Sequence, residues 1–226
     1  MRSLYLGLDE SKAEELSAVH YPVIRLEPVD GSCQALQQGM ERLASFSHLL
    51  FTSKPAVHFF WQQCLKLNLS EAFQKKPCFA IGQATARALE SLGCQTPLIA
   101  KEECLEGIIA LFSTLNLTKA SFFWPHSARS RTILVDFWRK EQISFYECCL
   151  YYTLLQKPYD LDVSAFDRLI FTSPSTVDGF LALFKEFPIG CQLQAIGPVT
   201  GRYLAEKLEP SLFLLEGPWT FKVKSL

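Results

Sequence analysis

Short apolar runs alternate with longer amphipathic ones along this chain. Ser3–Leu8, Val23–Glu27, His48–Thr52, Cys78–Ile81, Ser121–Trp124, Arg168–Thr172 and Gln194–Ile196 read as strands. Between them, apolar residues recur at helical spacing. Cys33–Phe46 places Leu36, Met40 and Leu43 on one face, Leu105–Leu115 repeats Leu105, Ile108, Ile109 and Phe112, and Arg131–Arg139 carries Leu134, Val135 and Trp138. Strand and helix in alternation predict an α/β protein with mainly parallel sheets.

The pattern also repeats. Leu49-Leu50-Phe51-Thr52-Ser53 returns as Leu169-Ile170-Phe171-Thr172-Ser173, with Val57 and Phe60 matched by Val177 and Phe180. Ala80-Ile81-Gly82-x-x-Thr85-x-Arg87-x-Leu89 returns as Ala195-Ile196-Gly197-x-x-Thr200-x-Arg202-x-Leu204. The offsets are 120 and 115 residues, in the same order. Shared apolar strands explain the matched Leu, Ile and Phe. They do not explain the matched Thr-Ser and Gly-x-x-Thr, so duplication is the better reading. Periodicity alone suggests a cut between the copies near residue 118.

Each Phe-Thr-Ser ends a strand in two hydroxyl residues, and proline follows at 55 and at 174. Serine is a good helix cap and proline is tolerated in the first turn, so a helix is expected after each strand. The crevice at the carboxyl ends of strands is where open α/β sheets bind ligands, and a helix start offers amide hydrogens to an anion. A plain cap explains one copy; two copies put a ligand on an equal footing with a plain cap. Gly82 and Gly197 are expected to turn the chain sharply after their strands, with Thr85 and Thr200 in the next helical turn. Arg87 and Arg202 read as solvent-facing or salt-bridged. The short spacing, with no Lys-Ser/Thr pair, excludes a phosphate-binding P-loop, and a single glycine per copy excludes a dinucleotide fingerprint.

Composition narrows the partners. Net charge is −1 over 226 residues, so no general polycation is present to wrap nucleic acid. An anionic ligand must be held by local dipoles and a few side chains. No apolar stretch reaches the roughly 18 residues that span a bilayer, and Met1–Asp9 lacks the features of a signal peptide. The eight cysteines form no Cys-x-x-Cys pair and read as reduced, mostly buried thiols of a cytoplasmic protein. Four histidines show no metal-ligand spacing. No metal or other cofactor is expected. Trp219–Leu226 carries no motif that we can assign.

With these motifs in place, the chain resembles the uroporphyrinogen-III synthase family. Tyr21–Pro28 is similar to the family's early strand ending in Glu-Pro. Leu49–Val57, Phe79–Leu89, Leu150–Thr153, Asp167–Val177 and Ala195–Thr200 follow its later motifs in order. Pro125-His126-Ser127 departs from it, because the family often has Pro-Arg-Gly there. The resemblance implies two flavodoxin-like α/β lobes with parallel sheets, joined by a two-stranded linker. Residues 1–26 with 156–226 would form one lobe and 32–148 the other, with 27–31 and 149–155 as linker strands.

The resemblance further implies hydroxymethylbilane as substrate. The enzyme closes this linear tetrapyrrole while inverting its terminal ring, giving uroporphyrinogen III in haem biosynthesis. It needs no cofactor. Tyr151 aligns with the family's linker tyrosine and is the candidate general acid. Thr52, Ser53, Gly82, Thr85, Ser127, Thr172, Ser173, Ser175, Gly197 and Thr200 are the candidate substrate-binding residues, expected to face one cavity from both halves. A monomer is expected, touching the preceding enzyme of the pathway transiently, with no nucleic-acid or membrane partner. Two other readings compete: a catalytically inactive two-lobed binding module for an anionic metabolite, and a sugar-phosphate enzyme.

Overall fold

The computed structural model describes residues 1–208 and 213–224; the last two residues of the segment Trp219–Leu226 lie outside the described residues. In chain order the strands are β1 (Ser3–Tyr5), β2 (Ala18–His20), β3 (Ile24–Pro28), β4 (His48–Phe51), β5 (Cys78–Ala80), β6 (Leu98–Ile99), β7 (Ser121–Ser127), β8 (Ser144–Leu155), β9 (Arg168–Phe171), β10 (Gln192–Ala195), β11 (Phe213–Gly217) and β12 (Thr220–Val223). The helices are α1 (Glu10–Glu15), α2 (Gln34–Glu41), α3 (Lys54–Lys66), α4 (Ser70–Gln74), α5 (Gln83–Ser91), α6 (Leu105–Phe112), α7 (Ile133–Lys140), α8 (Pro174–Phe184) and α9 (Pro198–Lys207).

These elements form two sheets of six strands, in two compact units. The first unit comprises Met1–Leu26 with Thr153–Leu226, the second Glu27–Tyr152. Residue 118, where periodicity alone suggested a cut, lies inside the second unit. The chain therefore passes between units twice, within β3 and within β8.

In the first unit the order is β11-β12-β10-β9-β1-β2. Strands β2, β1, β9 and β10 run parallel, and β12 adds antiparallel to β10. The parallel strands follow the flavodoxin order, and the winding reverses between β1 and β9. One face of the sheet buries Leu4, Leu169, Phe171 and Leu193 with Tyr21 and Phe180, and the other buries Tyr5 and Ile170 with Ala13. Such double-sided burial is why these strands read as unbroken apolar runs.

In the second unit the order is β3-β8-β7-β4-β5-β6, with β4 to β8 parallel. Here the winding reverses between β4 and β7. The core is strongly aromatic: Phe79, Phe112, Phe122, Trp124 and Trp138 pack together, with the rings of Phe122 and Trp138 stacked at 5.5 Å. Pro28 ends the edge strand β3, where a missing N–H costs no ladder bond.

Several boundaries differ from the sequence expectation. The first strand stops at Tyr5, not Leu8. Its continuation passes Gly7, where a Cβ would lie 2.5 Å from Thr172 Cγ2. The helix expected over Cys33–Phe46 ends at Glu41 and continues as a 3-10 turn, Leu43–Ser45. Strands β2, β6, β11 and β12 were not anticipated. Strands β2 and β6 have only three and two residues, too few to show alternation. The unassigned segment after Trp219 supplies β12. Trp219 itself takes φ 58° in the tight turn and packs against Gly201, where a Cβ would meet its ring at 2.3 Å.

Candidate functional site

The winding reverses between β4 and β7, the kind of point at which open α/β sheets bind ligands beyond the carboxyl ends of their strands, and the loops after those two strands lie there. Ser53 follows β4 with extended backbone and caps α3, its Oγ accepting from Ala56 N at 3.2 Å. Pro55 sits in the first turn, as the sequence predicts. Ser53 Oγ also lies 3.0 Å from the hydroxyl of Tyr151, on β8.

Tyr151 is 5% exposed and packs against the Phe59 ring at 5.4 Å. Burial pushes its phenol above the usual 10.0, against the opposing pull of the Ser53 and Ser127 side chains. The phenol therefore stays protonated at neutral pH. Three hydroxyls joined by two hydrogen bonds hold three hydrogens and use two. Whichever groups donate, the Ser53–Tyr151–Ser127 cluster keeps an O–H to offer a ligand.

The neighbouring loops complete this cluster. Thr52 accepts from the indole Nε1 of Trp124 at 3.2 Å. Ser127, at the end of β7, accepts from Arg129 N at 3.2 Å. His126, in the departure Pro125-His126-Ser127, meets Glu147 Oε2 through Nε2 at 2.5 Å and the Ser127 carbonyl through Nδ1 at 2.8 Å.

The helix start after β5 is already occupied. Gly82 caps α5 without a side-chain hydrogen bond, and Gln83 N donates to Glu103 Oε1 at 2.8 Å. A Cβ on Gly82 would lie 2.3 Å from the Glu103 carboxyl carbon. Glycine here leaves room for the end of the exposed Glu103 side chain and is not demanded by a sharp turn: φ is −169°, an extended value open to any residue. The carboxylate comes from this chain's own loop. Thr85 is only 3% exposed in the first turn.

The first unit repeats the arrangement with different partners. Thr172 and Ser173 follow β9, beside that sheet's own reversal of winding. Ser173 caps α8 in a full capping box. Thr176 Oγ1 accepts from the backbone N–H of both Thr172 and Ser173 at 3.2 Å and donates to the Ser173 carbonyl at 2.7 Å. Ser175 is half-buried in the first turn. Gly197 caps α9 with open space around its α-carbon, and Thr200 is 4% exposed. Arg87 and Arg202 are exposed.

Among the predicted residues, Ser53, Ser127 and Tyr151 are brought into one cluster with Thr52 adjacent, while Thr85 and Thr200 are buried under their helix starts. Sequence reading missed Glu103, Trp124, Glu147 and Thr176. Thr176 was detectable as the third residue after Ser173, the capping-box spacing. Glu147 needs the register of β7 on β8, which the sequence does not show. Two hollows, of about 310 and 560 Å³, lie elsewhere: one among Phe112, Asn116, Phe137 and Gln142, the other beside Arg202, Trp219 and Phe221.

No curated protein sequence gives a significant match. Solved structures do. A mutant uroporphyrinogen III synthase from Thermus thermophilus superposes with a TM-score of 0.66 at 19% identity, covering 91% of this chain and 88% of that one. The uroporphyrinogen-III synthetase of Helicobacter pylori gives 0.62 at 21% identity, covering 92% and 89%. At such identities the likeness establishes the fold. The family model for uroporphyrinogen-III synthase HemD matches residues 9–210, nearly the whole chain. The chain belongs to the uroporphyrinogen-III synthase family.

Proposed function

We propose that this chain converts hydroxymethylbilane into uroporphyrinogen III, with Ser53, Ser127 and Tyr151 at the point where the terminal hydroxyl leaves. The observation that carries the reading is the protonated hydroxyl pair Ser53–Tyr151 beside the β4–β7 reversal of winding, in a chain matched to this family over residues 9–210.

The reaction begins with loss of water. A proton passes from the Ser53–Tyr151 pair to the terminal hydroxyl, the C–O bond breaks, and the electron pair leaves on water. The adjacent pyrrole nitrogen supplies the pair that forms the azafulvene. Attack from the substituted carbon of the last ring gives a spiro intermediate, whose fragmentation and re-closure reverse that ring. Closure without inversion needs no enzyme, so the protein must select geometry as well as speed. Thr52 in the second unit, and Thr172, Ser173, Ser175 and Gly197 in the first, serve the substrate's carboxylates through hydroxyls and amides, while Gly82, whose helix start already holds Glu103, and the buried Thr85 and Thr200 shape the loops around them. With a net charge of −1, the protein depends on such local donors.

The protein acts as a monomer in the cytoplasm and receives its unstable substrate by transient contact with the preceding enzyme. Its eight free thiols accord with a reducing compartment. Among the described residues, no helix is long and apolar enough to cross a membrane. The test is an assay with hydroxymethylbilane and chromatographic separation of the isomers. Excess ring-inverted product supports the reading. Formation of the spontaneous isomer alone refutes it.

A further inference from the structure

Strands β7 and β8 pair in even register from Ser121 with Ser144 to His126 with Cys149. The register then slips, and Ser127 pairs with Tyr151, leaving Leu150 unopposed. Such a bulge re-aims the side chain that follows it, and here that side chain is Tyr151. The slip is held on one side by Ala128 N, which donates to the Tyr151 carbonyl at 3.0 Å.

The other side is held by His126. A carbonyl oxygen only accepts, so Nδ1, 2.8 Å from the Ser127 carbonyl, carries a hydrogen. Nε2 faces Glu147 Oε2 at 2.5 Å, and the ring lies over Trp124 with centroids 4.2 Å apart. The ring is therefore fixed by a carboxylate at one edge and an indole on its face, while its other edge grips the peptide at the slip. The His126 side chain is 13% exposed, and Glu147 lies at 40%. The arrangement is a carboxylate–imidazole–carbonyl chain that ends where the hydroxyl pair begins.

We propose that His126 and Glu147 are positioning residues for the ring-closing reaction: Glu147 orients the His126 ring, and the ring pins the Ser127 peptide so that the bulge aims the Tyr151 hydroxyl at Ser53. The inference rests on the reading of Tyr151 as proton donor. It assigns work to the position where the chain departs from its family's Pro-Arg-Gly. Neither side chain touches the reacting atoms. Both act through the geometry of Tyr151, where a displacement of an ångström lowers turnover by about a hundredfold in well-aligned sites.

Steady-state kinetics of H126L, H126N, E147Q and Y151F test this, with thermal melting to confirm folding. Asparagine places an amide N–H near the position of Nδ1 and keeps the donor to the Ser127 carbonyl; leucine does not. The expected result is an approximately tenfold or larger fall in kcat for H126L with KM little changed, substantial recovery in H126N, and an intermediate loss in E147Q. A folded H126L with the parent kcat, or H126N as impaired as H126L, overturns the positioning role while leaving a low Y151F rate intact. A Y151F protein with full turnover removes the proton-donor reading, and this proposal with it.

Discussion

Ser53 Oγ and the Tyr151 hydroxyl lie 3.0 Å apart, although 98 residues separate them in the chain. One caps a helix, the other follows a bulge in β8, and the two strands that present them flank β7. Replacing Ser53 by alanine removes both the cap and the phenol's partner. The expected outcome is a stability loss of about 1 kcal/mol by denaturant unfolding, together with a clear fall in turnover. Stability loss with unchanged turnover would reduce Ser53 to a cap.

Thr176 is the corresponding test in the first unit, away from the proposed chemistry. Its buried hydroxyl serves two amides and one carbonyl. Thr176→Val keeps the shape and strands those groups. Urea unfolding should show a loss of about 1–3 kcal/mol. A valine variant as stable as the parent would mean that other groups satisfy those amides.

Acid should loosen one cross-link of the second unit. Arg131 holds the Glu106 carboxyl at about 2, well below its ordinary 4.5, through two bonds of 2.6 and 2.8 Å. A depressed carboxylate pKa stabilises fully above the unfolded value, and that stability fades as pH falls toward the folded one. Both side chains are more than half exposed, so the pair contributes below about 1 kcal/mol. Glu106→Gln should therefore melt slightly below the parent at neutral pH, and the gap should close between pH 4.5 and about 2. A gap that widens in acid contradicts this assignment.

Thiol chemistry should separate the cysteines by depth. Burial pushes Cys64 and Cys148 up to about 12 and Cys191 up to about 11. Only the thiolate reacts, so these three should resist alkylation at neutral pH while the partly exposed Cys33 and Cys104 are labelled first. Mass spectrometry of the native protein reads the order directly, and uniform labelling would contradict it.

Much of this architecture was legible in the chain because its causes are local. Apolar runs such as Leu49–Phe51 and Leu169–Phe171 became central strands, and Ser53 and Ser173 became the caps that their hydroxyls and following prolines suggested. What the sequence hid depends on long-range register. The slip that places Tyr151 opposite Ser127 leaves no mark in the residue pattern, and neither does the loop that brings Glu103 onto Gln83. Gly82 read as a sharp turn, whereas its backbone is extended with the Glu103 carboxylate beside it. The edge strands β2 and β6 were too short to carry a period.

The most direct test of the account compares the parent with Tyr151→Phe on hydroxymethylbilane, measuring both product isomers over time. Loss of a general acid lowers turnover by about 100-fold or more, so the variant should drift to the spontaneous, non-inverted isomer while the parent gives the inverted one. Because the phenol sits above 10.0, the parent should keep its preference up to that pH as far as Tyr151 is concerned. If both proteins form the inverted isomer at equal rates, or neither forms it, the account is wrong.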